Sequence, residues 1–280
     1  MAIRVITATL LMISILAPAV PACGPRERPA SASDPAPSDT TVLAGPMTFP
    51  NGEATINGFL ARPRGEGAFP AVVLTHGNPG IPDDMRSLAL ELARQGFVAL
   101  AVDANSRTPD HSKLELHVIR SYTFHRQWMS DIRAGIEWLA GRPFVRDRRV
   151  GMVGFCGGGV VNLLLATQSP DVAAVVALYA APRFPPERNS PTDPKPSLLD
   201  FVDRVRVPVQ YHYGTADHMI PLADVRRLQD TLARLGAPAE VHLYEGADHA
   251  FFGERSPNYD SAAATLARER LIAFLRRHLG

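Results

Sequence analysis

Short, continuous apolar runs alternate with helix-patterned stretches along most of this chain, and that rhythm narrows the folds open to it more than any other feature. The runs are "AVVLTH" (71–76), "FVALAVD" (97–103), "RVGMVGF" (149–155), "VAAVVALY" (172–179), "VPVQYHYG" (207–214) and "AEVHLYEG" (239–246). Runs of this type suit strands covered on both faces. Helical patterns fall between and after them at about 83–95, 122–140, 157–168, 221–235 and 260–279. The alternation predicts the α/β class, with a mostly parallel central sheet and helices on both faces. Ahead of it, "MTFPNGEATINGFLARP" alternates around Asn51-Gly52 and predicts an N-terminal β-hairpin. One insertion breaks the rhythm: "APRFPPERNSPTDPKPS" (181–197) is too rich in Pro for a helix or a central strand. It directly follows a strand, which sets it over the crevice at the strands' carboxyl ends, where ligands bind on such sheets.

The N-terminal end has a different character. Arg4 precedes an apolar run from Val5 to Val20, and "PAC" closes it at Cys23. The run is short for a membrane span, and its charge, apolar, small order predicts a signal peptide over 1–22. "VPAC" (20–23) resembles the bacterial lipoprotein box, which would make Cys23 a lipid anchor; ordinary cleavage after Ala22 is the alternative. Residues 23–45 are rich in Pro, Ser, Ala and Asp and predict a disordered tether, leaving 46–280 as the folded domain. The product is expected outside the cytoplasm, touching a membrane only through its anchor. A formal net charge of +1 supplies no field that would draw nucleic acid.

The chain has only two cysteines, so the folded domain keeps a single thiol and has no internal disulfide. An unpaired thiol in an oxidising compartment needs either burial or use. Cys156 sits in "VGMVGFCGGGVVN" (150–162), between a predicted strand and a predicted helix. The bland reading is a small buried hydrophobe. Against it stands the pattern Gly154-Phe155-Cys156-Gly157-Gly158, the thiol form of the G-x-S-x-G nucleophile elbow. Such a turn strains the central residue, lets strand and helix meet at the flanking glycines, and thrusts the side chain out at a helix N-terminus. The Gly157 N–H is then aimed at a developing oxyanion. The stretch lacks the Lys and Ser/Thr of a phosphate-binding Walker loop.

A thiol elbow needs a base, and the base needs an orienting acid. "YGTADHMIP" carries Asp217 just past one strand, and "YEGADHAFF" carries His249 just past the next, giving the order nucleophile, acid, histidine. Asp248 adjoins His249, but neighbouring residues on a turn point apart, so Asp217 is the better acid. His212 and His218 match no zinc-ligand spacing, and no metal site is expected.

These residues resemble the dienelactone hydrolase family of the alpha/beta-hydrolase superfamily over about 47–279. The resemblance rests on "GFCGGG", "GTADHMIP" and "EGADHAF", with looser support from "LTHGNPG" (74–80) and "VDANSR" (102–107). It implies the alpha/beta-hydrolase fold and the catalytic residues Cys156, Asp217 and His249. From the family's oxyanion loop it implies backbone donors at Gly77 or Asn78, joining Gly157. It also implies a substrate-carboxylate role for Arg107. Two departures stand out: Gly77 replaces the glutamate of the dienelactone-cleaving members, and Gly253 replaces a second carboxylate-binding arginine, with Arg255 nearby. Both point to some other ester, lactone or thioester. The expected mechanism is attack by the Cys156 thiolate, with His249 held by Asp217, then hydrolysis of the thioester without metal or organic cofactor. An acyltransferase using the same triad and a non-catalytic binding scaffold are the alternatives.

Overall fold

The computed structural model of the protein describes residues 41–77, 80–108, 110 and 120–280. The expected leader, Cys23 and most of the expected tether lie outside these residues, as does Asn78. The chain enters through β1 (Val42–Asn51), which turns at Gly52-Glu53 into β2 (Ala54–Pro63). β1 therefore takes up Val42–Gly45, the end of the segment expected to be tether. Gly45 and Pro46 read as breakers in sequence. On an edge strand, however, Pro46 needs no ladder partner for its missing N–H, and its neighbours pair in register from Val42 with Pro63 to Asn51 with Ala54.

β3 (Ala71–Thr75) and β4 (Val98–Val102) follow, joined by α1 (Asp83–Arg94). α2 (Tyr122–Ala140) then leads to β5 (Val150–Phe155), α3 (Gly157–Ala166) and β6 (Val172–Leu178). The chain closes with β7 (Val209–Gly214), α4 (Leu222–Arg234), β8 (Ala239–Tyr244) and α5 (Ser261–Leu279). The 8-stranded sheet has the order β1-β2-β4-β3-β5-β6-β7-β8. Only the hairpin pairs are antiparallel.

Every residue of β3 and β4 is buried. A Val or Leu so placed contributes about 1.5–3 kcal/mol over an exposed one. That burial explains why these runs lack alternation: helices cover both faces. α1 and α5 share one face, tied by Arg268 to Glu91 at 2.8 Å, while α2 and α3 pack together on the other. α3, apolar on every side, is buried along most of its length.

The topology fixes two ends of the sheet. Strand order reverses between β3 and β5, which opens a crevice at their carboxyl ends. β1 also runs in the same sense as β4, because β2 is antiparallel to both. Val42 thus lies at the base of the sheet, the edge opposite that crevice.

Candidate active site

Cys156 follows β5 directly and stands at the start of α3 with φ of +51°. A non-glycine residue held there is strained, and the strain persists because the surroundings leave no other path. A Cβ on Gly158 would lie 2.4 Å from the His76 carbonyl oxygen and 2.5 Å from that of Thr75. One on Gly154 would lie 2.6 Å from the Gly159 Cα. Strand and helix meet at the two glycines, so the turn between them must be sharp. Gly157, by contrast, has nothing closer than 3.7 Å to such an atom.

Asn162, fully buried on α3, braces the turn from within. Its amide NH2 donates to Thr75 Oγ1 at 2.9 Å and to the Gly158 carbonyl at 3.2 Å, and its oxygen accepts from the Gly154 N–H at 3.2 Å. Sequence reasoning passed over this residue, since a polar side chain one turn into an apolar helix carries no spacing signal.

The three sequence-predicted side chains come together at the crevice. His249 Nε2 lies 3.3 Å from Cys156 Sγ, and His249 Nδ1 lies 2.8 Å from Asp217 Oδ2. The other oxygen of Asp217 accepts from the Met219 and Ile220 N–H groups at 2.8 and 2.9 Å. Both carboxylate oxygens are thereby engaged and the acid cannot rotate. Tyr213 supports the same turn by donating to the Ile220 carbonyl at 2.6 Å. The histidine turn is pinned by Asn258, which donates to the His249 carbonyl at 2.9 Å.

Burial alone would lower the His249 pKa. Hydrogen bonds to Asp217 and Cys156, with the charges of both, outweigh it and raise the ring to about 10. The imidazole is therefore held as its cation at neutral pH.

Asp248 does something else. It accepts from the His218 ring at 2.7 Å and from the His249 backbone N–H at 2.6 Å, which fastens the turn without approaching the His249 ring nitrogens. His212 is buried between Gln210 and Tyr244.

Two hollows open on either side of Cys156 and His249. The first, about 340 Å³, is walled by the 181–197 insertion and contains Arg183, Arg188 and Lys195 beside Phe184. The second, about 450 Å³, is mostly apolar and runs from Gly77 past Met85 to Phe252, with Asp84 in its wall. Tyr179 lines both, with its ring 5.0 Å from that of His249. Gly157 lines the first hollow and Gly77 the second.

Arg107 is not at this site, which corrects the expectation of a substrate-carboxylate role. Its guanidinium grips the buried carboxylate of Asp131 at 2.8–3.2 Å and donates to the Asn51 carbonyl at 3.3 Å. It ties the hairpin to α2, because a buried carboxylate demands a cation more strongly than an open hollow does. Arg255 lines the second hollow, but its guanidinium is paired with Asp83.

The dienelactone hydrolase family model matches residues 56–279. The chain is similar to the "Probable 2-oxo-3-(5-oxofuran-2-ylidene)propanoate lactonase" of Bradyrhizobium sp., with 33% identity over 82% of this chain and 92% of that protein. It is 27% identical to a "Putative carboxymethylenebutenolidase" of Synechocystis sp. over 83% of this chain and 96% of that one. Among solved structures, a "Putative Dienelactone Hydrolase" from Klebsiella pneumoniae superposes with a TM-score of 0.72 at 26% identity, covering 84% of this chain and 99% of its own.

Proposed function

As a member of the dienelactone hydrolase family, this chain is a hydrolase of lactones or esters, and we propose that it cleaves them through a thioester on Cys156. The observation that carries this reading is the unbroken line from Asp217 through His249 to Cys156, at 2.8 and 3.3 Å. The reacting pair is thiolate and imidazolium, the sulfur 3.3 Å from His249 Nε2. The thiolate sulfur attacks the carbonyl carbon, and the electron pair of the C=O bond moves onto oxygen. The Gly157 N–H, free of helix partners at the first position of α3, and the N–H of Gly77 or Asn78 stabilise that oxyanion. The tetrahedral adduct collapses as the C–O bond breaks, and the imidazolium gives its proton to the departing alcohol oxygen. His249, now neutral, takes a proton from water as the water oxygen attacks the thioester carbon; the second adduct collapses as the C–S bond breaks, its electron pair returns to sulfur, and the acid leaves. The cycle ends with thiolate and imidazolium restored.

The test is direct. Quenching wild-type enzyme during turnover of p-nitrophenyl acetate should leave an acetyl group on Cys156, found by peptide mass spectrometry, and iodoacetamide should both label Cys156 and abolish turnover. Undiminished turnover by fully alkylated enzyme would end this reading.

We propose in addition that the chain is exported and anchored through a lipid on Cys23, a reading supported by Arg4, the apolar run Val5–Val20 and the "VPAC" box.

A further inference from the structure

We infer that Tyr179 is a further catalytic residue, its hydroxyl donating a hydrogen bond to the oxygen that departs with the alcohol half of the ester. The inference rests on the acyl transfer to Cys156 proposed above and concerns how the bond to that oxygen is broken.

Tyr179 directly follows β6 and takes a φ of +40°. A tyrosine held in that region is strained, and the strain is retained only where the surrounding chain leaves no alternative. Here the backbone is fastened to the strands on either side. The Cys156 N–H donates to the Leu178 carbonyl at 3.0 Å, and the Tyr179 N–H donates to the His212 carbonyl at 2.8 Å. The ring packs edge-on against Phe251 at 5.7 Å and lies 5.0 Å from the His249 ring. Tyr179 lines both hollows, so a substrate that spans them across Cys156 passes beside it.

Phenylalanine would serve that packing as well, so the hydroxyl is the part to explain. Tyr213 donates to the Ile220 carbonyl at 2.6 Å, Tyr244 shares a hydrogen bond of 2.7 Å with His212, and Tyr211 donates to the Ala180 carbonyl. Among the described residues the Tyr179 hydroxyl has no such partner, although the residue is only 5% exposed. The side-chain polar atoms that are sealed off without a partner are Asn105 Oδ1 and Trp128 Nε1. The Tyr179 hydroxyl is therefore not sealed but opens on the hollows that the residue lines, a donor left for what enters them. Burial, followed by the charges of Cys156, Asp84 and Asp217, raises this phenol well above its ordinary range, which keeps its proton in place.

Strand order says which substrate oxygen it meets. The turn carrying Gly77 follows β3, on one side of β5 and Cys156. Tyr179 follows β6, on the other side, toward β7 and β8, whose ends carry Asp217 and His249. The carbonyl oxygen belongs with the backbone donor from the β3 side. The departing oxygen belongs on the side of His249, which gives it a proton, and Tyr179 stands there. As the C–O bond breaks, its electron pair moves onto that oxygen. One lone pair takes the His249 proton while another accepts the Tyr179 O–H hydrogen bond, and the phenol ends the step with its own proton still bound.

The experiment compares phenyl acetate, whose departing oxygen is strongly basic, with p-nitrophenyl acetate, whose nitro group already disperses the charge. In Tyr179→Phe the ratio of kcat/KM, phenyl over p-nitrophenyl, should fall about tenfold, as loss of one hydrogen bond to a developing charge implies. A ratio within about twofold of wild type would overturn the assignment. That holds if both rates fall together, as for a donor to the carbonyl oxygen, and if neither falls, as for a ring that only fills space. Replacing Tyr179 by 3-fluorotyrosine, a stronger donor of nearly the same shape, keeps the test independent of folding: the ratio should be at least that of wild type, and a tenfold fall would refute the role. Acetyl-Cys156 in quenched enzyme together with an unchanged ratio would retire Tyr179 alone. A lowered ratio with no acetyl group on Cys156 would count against the thioester and leave Tyr179 as the donor to the departing oxygen.

Discussion

Asp217 reaches the His249 ring from the neighbouring strand end, while Asp248, adjacent in sequence, turns to His218. Exchanging each carboxylate for an amide separates the two. Asp217→Asn should lower kcat on p-nitrophenyl acetate by about 10³–10⁴-fold, because the amide cannot hold the imidazolium or fix its tautomer. Asp248→Asn should cost less than about tenfold, since only a turn brace is weakened. The opposite ranking would reassign the acid. The His249 ring makes a pH prediction of definite sign. Its folded pKa of about 10 lies above the usual 6.5, so between those values the native state holds a proton that the unfolded chain has released, and stability falls as pH rises. The gap in urea midpoint between wild type and His249→Gln should be full below pH 6.5 and close through pH 10. A gap that widens over that window would mean the ring is neutral in the native state. The three side chains were legible in the sequence because each directly follows an apolar run that ends at one edge of the sheet. Arg107 was misread for the complementary reason: its partner, Asp131, is 24 residues away on a helix, and nothing in the spacing of the two marks them as a pair.

At the scale of elements, the elbow between β5 and α3 is a contact problem before it is a catalytic one. Gly158→Ala would drive a methyl group into two backbone carbonyls that have nowhere to go. It should destabilise the fold by about 1–3 kcal/mol and displace Cys156, lowering both Tm and turnover. Gly157→Ala, whose added methyl would meet nothing closer than the Trp128 ring at 3.7 Å, an ordinary van der Waals contact, should change stability by no more than about 0.5 kcal/mol. Calorimetric scans of the two variants check the contrast, and equal destabilisation would show that steric closeness is not what the turn requires. The strands and helices themselves could be read from the sequence because burial on both faces leaves uninterrupted apolar runs, as in β3 and β4. The start of β1 could not, since an edge strand tolerates the Gly45-Pro46 pair that elsewhere signals a break.

For the whole molecule, the address proposed from Cys23 has its own test. Cys23→Ala should abolish partition into the detergent phase after Triton X-114 extraction, whereas the wild-type chain should partition there. A wild-type mature chain with an unmodified N-terminus would dispose of the anchor while leaving the chemistry untouched. The direction of β1 bears on what such an attachment would accomplish. The chain joins its sheet at the base, and α5, returning from β8, brings Gly280 back to that same end, beside Arg146 and Pro70. Both ends of the described domain therefore leave from the side remote from Cys156. Whether tied to a bilayer or coupled to a bead by either end, the attachment would begin at the keel and leave the mouth clear for arriving substrate.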